Sequence, residues 1–131
     1  MDSPFSYAVY RLVPRIERGE RINVGVVVFC RPRCYLGAAT VLDPVRTLAL
    51  WPELDIDNVN LHLHAIERLA AGDPSAGPIA RLDLTARFHW LVAPSSTIIQ
   101  PSRVHTGRTD DLPLQLERLF QELVVVPGAP D

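Results

Sequence analysis

Apolar and polar positions divide the chain into an extended N-terminal part and a helical remainder. "SYAVYRLVP" (Ser6–Pro14) is rich in aromatic and β-branched residues and stops at a proline, the signature of a strand. "RINVGVVVFC" (Arg21–Cys30) is apolar on both pleat faces over most of its length, which predicts a central strand. "RPR" (Arg31–Arg33) is a turn, and "CYLGAATVL" (Cys34–Leu42) is a third strand ended by Asp43-Pro44. Such short connections predict an antiparallel meander over 6–42.

Beyond it the period changes. Asp57 or Asn58 is placed to cap a helix in which Val59, Leu63, Ile66 and Ala70 recur on one side, with Leu69 beside them, until Gly72 and Pro74 stop it. "PIARLDLTARFHWLVAP" (Pro78–Pro94) fits both periods. Ile79, Leu82, Ala86 and Trp90 suit a helix starting at Pro78, whereas Phe88, Trp90 and Val92 suit a strand; helix is preferred for the first part. "STIIQ" (Ser96–Gln100) reads as a short strand and "PSRVHTGRTDD" (Pro101–Asp111) as a polar loop. Thr109, Asp110 or Asp111 then caps a last helix over 111–124, with Pro113 in its first turn. Leu112, Leu116, Leu119, Phe120 and Leu123 form a stripe that should lie on the sheet. "PGAPD" is a frayed tail. The expectation is one α+β domain, 1–131: a three- to four-stranded antiparallel sheet covered on one face by helices, with the helical part over 57–93.

Composition narrows the chemistry. The 131 residues carry a net charge of −2, a poor match for nucleic acid or an anionic membrane. Residues 1–40 nevertheless hold six arginines against three acids, so a weakly basic face is compatible with the sequence. All thirteen basic residues are arginine, which excludes a Walker A loop, a Schiff-base lysine and a lysine general base. An anion would have to be held by guanidinium forks and backbone N–H groups. Two cysteines make no disulfide framework, and "MDSPFSYAVY" has no signal-peptide character. No run approaches the roughly eighteen apolar residues of a membrane span. A cytoplasmic protein with reduced thiols is expected.

The densest chemistry lies in "VPRIERGERINVGVVVF" (Val13–Phe29). Gly19 is placed to take a positive φ at the strand connection, and Arg18 can pair with Glu20. Exposed pairs of this kind add little stability, so recognition of a carboxylate, a phosphate or a partner's charge competes with a merely solvated turn. Asn23 and Gly25 are both unusual in a strand. Gly25 suggests a bulge or a close backbone approach. Asn23, on the pleat face of Gly25 and Val27, must find partners, either by tying down a loop or by lining a pocket. Arg11 alternates onto a face with Tyr7, Val9 and Val13 and needs a carboxylate, for which Glu20 is nearest.

Other constellations are weaker. In the loop, His105, Thr106, Gly107 and Arg108 precede a helix N-terminus that favours anions, although capping by Thr109 or Asp111 also explains the loop. "PSSTIIQP" adds Ser95, Ser96, Thr97 and Gln100 without a nucleophile elbow. A triad of Ser95 or Ser96, His89 or His105, and Asp110 can be written down, but spacing alone does not support it. Cys30, Cys34, His62 and His64 lack zinc spacing, and on a helix His62 shares the Val59/Ile66/Leu69 side while His64 diverges. No metal and no cofactor is implied. Trp51 and Trp90 read as core or groove residues, and a single aromatic among Ala8, Tyr10 and Leu12 does not make an RNA-stacking platform.

"YAVYRLVPRIERGERINVGVV" together with "RFHWLVAPSSTIIQPSRVHTG" resembles an uncharacterised bacterial family, domain of unknown function 3037, from about Tyr7 to Val124. Arg11, Pro14, Arg18-Gly19-Glu20 and Asn23-Val24-Gly25 carry the resemblance most specifically. Members are sometimes encoded beside HipA-like kinases, so the resemblance implies a partner-protein role. The expected function is a non-enzymatic interaction module that recognises its partner through Arg11, the Arg18–Glu20 turn, Asn23 and the His105–Asp111 loop. The rival expectation is an enzyme or ligand-binding domain for a phosphorylated small molecule or nucleotide. There Arg11, Arg18 and Arg108 would clamp the anion, with Glu20 or His105 as acid–base groups.

Overall fold

The computed structural model describes residues 1–95 and 97–126. Strands β1 (Ser3–Leu12), β2 (Ile22–Cys30) and β3 (Tyr35–Thr40) form the expected antiparallel meander. Four helices follow the chain's caps: α1 (Pro44–Leu50), α2 (Ile56–Ala71), α3 (Leu84–Leu91) and α4 (Leu112–Leu123). Each begins at an aspartate whose carboxylate accepts backbone N–H bonds: Asp43, Asp55, Asp83 and Asp111. The first of these helices carries no heptad-like signal and was not anticipated between β3 and α2. α2 starts from Asp55, ahead of Asp57 and Asn58, and ends in the left-handed conformation at Gly72 (φ 74°).

The ambiguous segment resolves in favour of helix, but in its second part. Pro78–Arg81 is a short 3-10 turn, and α3 begins only after Asp83, so that Phe88 packs face to face on Phe29 with ring centroids 4.7 Å apart. Strand β4 is Ile99–Pro101; the predicted strand began at Ser96, which lies outside the described residues, as does the predicted frayed tail. The predicted polar loop is in its latter half a strand, β5 (His105–Thr109). Both β4 and β5 pair with the same edge of β1, β4 with Tyr10–Leu12 and β5 with Ser3–Tyr7, so the sheet order is β3-β2-β1 with β4 and β5 sharing the far edge. Ser102 fills the step between them, its Oγ accepting from Val9 N (2.9 Å) and its N–H donating to Val9 O (2.7 Å).

The fold is α+β with four helices packed against an antiparallel sheet. The helices do not gather on one face. Ala8, Tyr10, Leu12, Val27 and Phe29 share a core with α2 and α3, whereas Phe5, Val26, Val28 and Cys30 share another with Leu112 and Leu119 of α4. β2 is apolar on both sides because both sides are covered. α2 packs over β3, and Glu67 closes the end of that edge strand by accepting from Thr40 N and Thr40 Oγ1, each at 3.0 Å. Among the described residues no helix is long and apolar enough to cross a membrane.

Candidate functional site

One irregularity decides where the predicted site residues point. Between Tyr10 and Arg11 the β1–β2 register slips: Tyr10 faces Gly25 while Arg11 faces Asn23, leaving Val24 as the extra residue of a β-bulge. The expectation that Asn23 shares a face with Gly25 and Val27 is therefore wrong. The inserted residue reverses the alternation, and Asn23 stands on the second face with Arg11 and α4. There its Nδ2 donates to Leu123 O at 2.9 Å, closing the C-terminal turn of α4. Asn23→Ala should cost about 1 kcal/mol, the net value of one such hydrogen bond, read as a lower urea midpoint at unchanged slope. Gly25 stays on the first face, in a row that runs Pro101–Tyr10–Gly25–Thr40 across four strands.

Arg11 does not meet Glu20. Glu20 takes Arg18 instead, Oε1 to Nε at 2.5 Å, in a turn where Gly19 has the expected positive φ (72°). Arg18 is largely exposed and Glu20 partly so, and the Arg18 hydrogen bond draws the Glu20 carboxyl below its usual range. Arg11 is half-buried and lies between Asn23 of β2 and Gln100 of β4. Gln100 is fixed by its Nε2, which donates to Thr97 O (3.1 Å). Thr97 in turn spends its hydroxyl on Ile99 O (2.9 Å).

The second group lies elsewhere. His105 pairs with Tyr7, four residues from Arg11 along β1, or roughly 13 Å at the usual strand rise. Its ring stacks on Tyr7, centroids 5.2 Å apart. Gly107 is where the Phe5 ring lies against the strand: a Cβ there would stand 2.7 Å from Phe5 Cζ. Thr106 and Arg108 are exposed and alternate onto the opposite face from His105, and Arg108 Nη2 donates to Asp2 O (3.4 Å). Arg108 pairs with Pro4, so Arg11, Arg18 and Arg108 cannot converge on one anion, and neither Glu20 nor His105 joins them. Asp111, not Thr109 or Asp110, caps α4 (Leu114 N to Oδ1, 3.1 Å).

Cys30 is buried and Cys34 exposed, both as free thiols. Among the described residues no group of three metal-ligating side chains comes together. Of the triad that spacing allowed, Ser95 Oγ is hydrogen-bonded to Thr97 Oγ1 (2.8 Å), and Ser96 lies outside the described residues.

Of the candidate site residues, Thr97 lies at an apolar concavity that the rest do not reach. A groove of about 560 Å³ runs between α2, α3 and the β4 edge on the first face. Tyr10, Leu69, Leu91 and Ile99 form its buried base, and Ile66 and Ala65 line its α2 wall. Tyr10 is fixed there by donating its hydroxyl to Leu91 O (2.8 Å), and burial holds that hydroxyl protonated far above its ordinary range. Leu61 and Trp90, 67% and 52% exposed, line it from α2 and α3. His62, Ser95 and Thr97 are its polar members, and among the described residues no carboxylate or guanidinium lines it. The signal for it was in the sequence: Leu61 falls off the Val59/Leu63/Ile66/Ala70 stripe, so a large apolar side chain stands where a helix ordinarily shows a polar one.

Arg33 was also missed. From the β2–β3 turn it reaches Ser3 Oγ (2.9 Å), Asp110 O (2.8 Å) and Met1 O, tying that turn to the N-terminus and to the β5–α4 connection. A planar fork with several donors suits this task, and no spacing rule points to it.

No curated protein and no solved structure matches the chain. A family model described as "Protein of unknown function (DUF3037)" matches residues 7–124, a span that takes in β1 from Tyr7, both faces of the sheet, the groove and all of α4. The chain belongs to that family.

Proposed function

We propose that the protein is a non-enzymatic interaction module of the cytoplasm that receives apolar side chains of a partner protein in the α2–α3–β4 groove. The observation that carries this reading is the pair Leu61 and Trp90, two large apolar side chains left more than half exposed at an apolar groove of about 560 Å³. Clustered apolar exposure of this kind marks association surfaces, and tryptophan is enriched among residues that dominate binding energy. The uncharged lining selects an uncharged, apolar insert, since a charged one would lose its hydration without gaining a counter-ion. The free thiols of Cys30 and Cys34 suit a reducing compartment. A HipA-like kinase, which the family resemblance suggests, is the first partner to try.

Trp90→Ala and Leu61→Asp test the reading by titration against that purified kinase. Truncating a hot-spot tryptophan should weaken binding by at least about 2 kcal/mol, roughly thirtyfold, while melting stays near wild type because the side chain is already half exposed. Unchanged affinity in both variants would remove the groove from the interface.

A second reading draws on the volume alone. About 560 Å³ lies within the range of small-molecule pockets, so a neutral apolar ligand hydrogen-bonded to Ser95, Thr97 or His62 would also fit. A thermal-shift screen with neutral aromatic compounds on the wild type and on Leu61→Asp separates the two.

A further inference from the structure

We propose that Arg11 and Arg21 form a second binding site, specific for a phosphate group, on the sheet face opposite the groove. The bulge at Val24 creates it. By reversing the alternation it puts Arg11 and Asn23 side by side on the second face. Arg21 is the exposed residue just before β2, two positions from Asn23, so continuing the alternation carries it to the same side. β4 adds Gln100 on the other side of Arg11. The row therefore reads Asn23–Arg11–Gln100 across three strands, with Arg21 two residues before Asn23 in sequence.

Among the described residues no carboxylate pairs with this row. Asn23 and Gln100 are neutral, and each is held in place by donating to a backbone carbonyl. The carboxylate nearest in sequence, Glu20, is taken by Arg18, and Glu17 lies against Arg15 at 3.9 Å. Among the described residues neither Arg11 nor Arg21 has an ion-pair partner. Burial first, and the nearby charge of Arg21 second, work against the charged form of Arg11. A half-buried guanidinium offers five N–H donors in a planar fork, and a tetrahedral dianion accepts from two such forks at once. A monoanionic carboxylate would cancel only one of the two charges, so phosphate is the better match. The groove, on the other face and uncharged, is independent of this site.

The test is a titration with inorganic phosphate at fixed ionic strength, chloride replacing it in the blanks, followed by the shift of the Arg11 side-chain Nε–H resonance and by melting temperature. Wild-type protein should show a saturable shift and a rise in melting temperature. In Arg11→Gln the dissociation constant should rise at least tenfold. Arg21→Gln should weaken phosphate binding and, in chloride, melt higher than wild type because the like-charge contact is gone. Arg108→Gln, on β5 beside Pro4 at the far end of the sheet, should bind as wild type. A phosphoserine peptide and phenyl phosphate, run in parallel, tell a protein-borne phosphate from a small-molecule one by which binds tighter. The proposal is overturned if phosphate produces no saturable shift, if Arg11→Gln binds as well as wild type, or if Arg108→Gln loses as much as Arg11→Gln. Should Arg11→Gln fail to fold, Arg11→Lys takes its place: it keeps the charge but not the fork, and it too should bind at least tenfold more weakly.

Discussion

Replacing Tyr10 by alanine should lower stability by about 4 kcal/mol, the range for deleting a buried aromatic side chain. Tyr10 is 2% exposed, stands in the row with Gly25 and Pro101, and forms the base of the groove. Its loss opens a void in the first core and leaves Leu91 O without its donor. Tyr10→Phe separates the two effects. It keeps the ring and removes the hydroxyl, and should cost about 1–2 kcal/mol for the unsatisfied carbonyl. The phenol also gives the fold an alkaline limit. Its native pKa lies above the unfolded value of about 10, so the stability it contributes is complete below pH 10. As pH rises further, the unfolded chain gives up the proton while the native chain keeps it. Stability then falls by up to about 1.4 kcal/mol for each pH unit until the native hydroxyl itself ionises. The difference between wild-type and Tyr10→Phe unfolding free energies, measured from pH 8 to 11.5, should be flat to about pH 10 and shrink above it. A difference that stays constant through pH 11.5 would show that the hydroxyl is not held in its buried bond.

Gly25→Val is the second large effect, about 3 kcal/mol at the upper end of overpacking costs. A Cβ at Gly25 would come within 2.9 Å of Thr40 Cγ2 and 3.1 Å of Ala39 O. The backbone oxygen has no freedom to move. Thr40 has little more, because Glu67 holds both its N–H and its hydroxyl at 3.0 Å. Rotating Thr40 away would break the bond that closes the β3 edge. Gly25→Ala should lose roughly half as much, since overpacking grows with each added carbon. In Thr40→Ala, which removes the clashing methyl, the penalty of Gly25→Ala should shrink; this double-mutant cycle measures the contact directly. Independent, additive losses would place the strain elsewhere.

The cap at Asp111, the stop at Gly72 and the antiparallel meander follow from local rules, because a cap, a left-handed stop or a short turn needs only its neighbours in sequence; the caps at Asp43, Asp55 and Asp83 were not read from the sequence. The fold class was legible for the same reason, as was the strand assignment of a β2 with no polar face. Two assignments failed where the decisive partner is far away in sequence. The His105–Thr109 segment looks like a loop because its residues are polar and include a glycine. It becomes a strand because β1 offers an unpaired edge one hundred residues earlier in the chain, and because Phe5 covers Gly107. Gly25 hints at a bulge in β2, but a period-two pattern does not say which residue is the extra one; the pairing of Arg11 with Asn23 places it at Val24 and so decides the face of Asn23.

Of the candidate site, the sequence by itself determined which groups are unusual: an arginine in an apolar strand, an asparagine and a glycine in a central one, and a charged turn. Tertiary structure decided what most of them do. The Arg18–Glu20 pair is local and was legible; tertiary structure gave Asn23 to the end of α4 and Gly107 to the Phe5 ring, and among the described residues left Arg11 and Arg21 without an ion-pair partner. It also made the groove, since Leu61, Trp90 and Ile99 come from three elements and meet only when α2 and α3 pack beside β4. The physical reason is the same throughout. Residue type and spacing fix local geometry and charge, whereas a pocket or an unpaired charge depends on which distant group arrives, and that is set by packing and register.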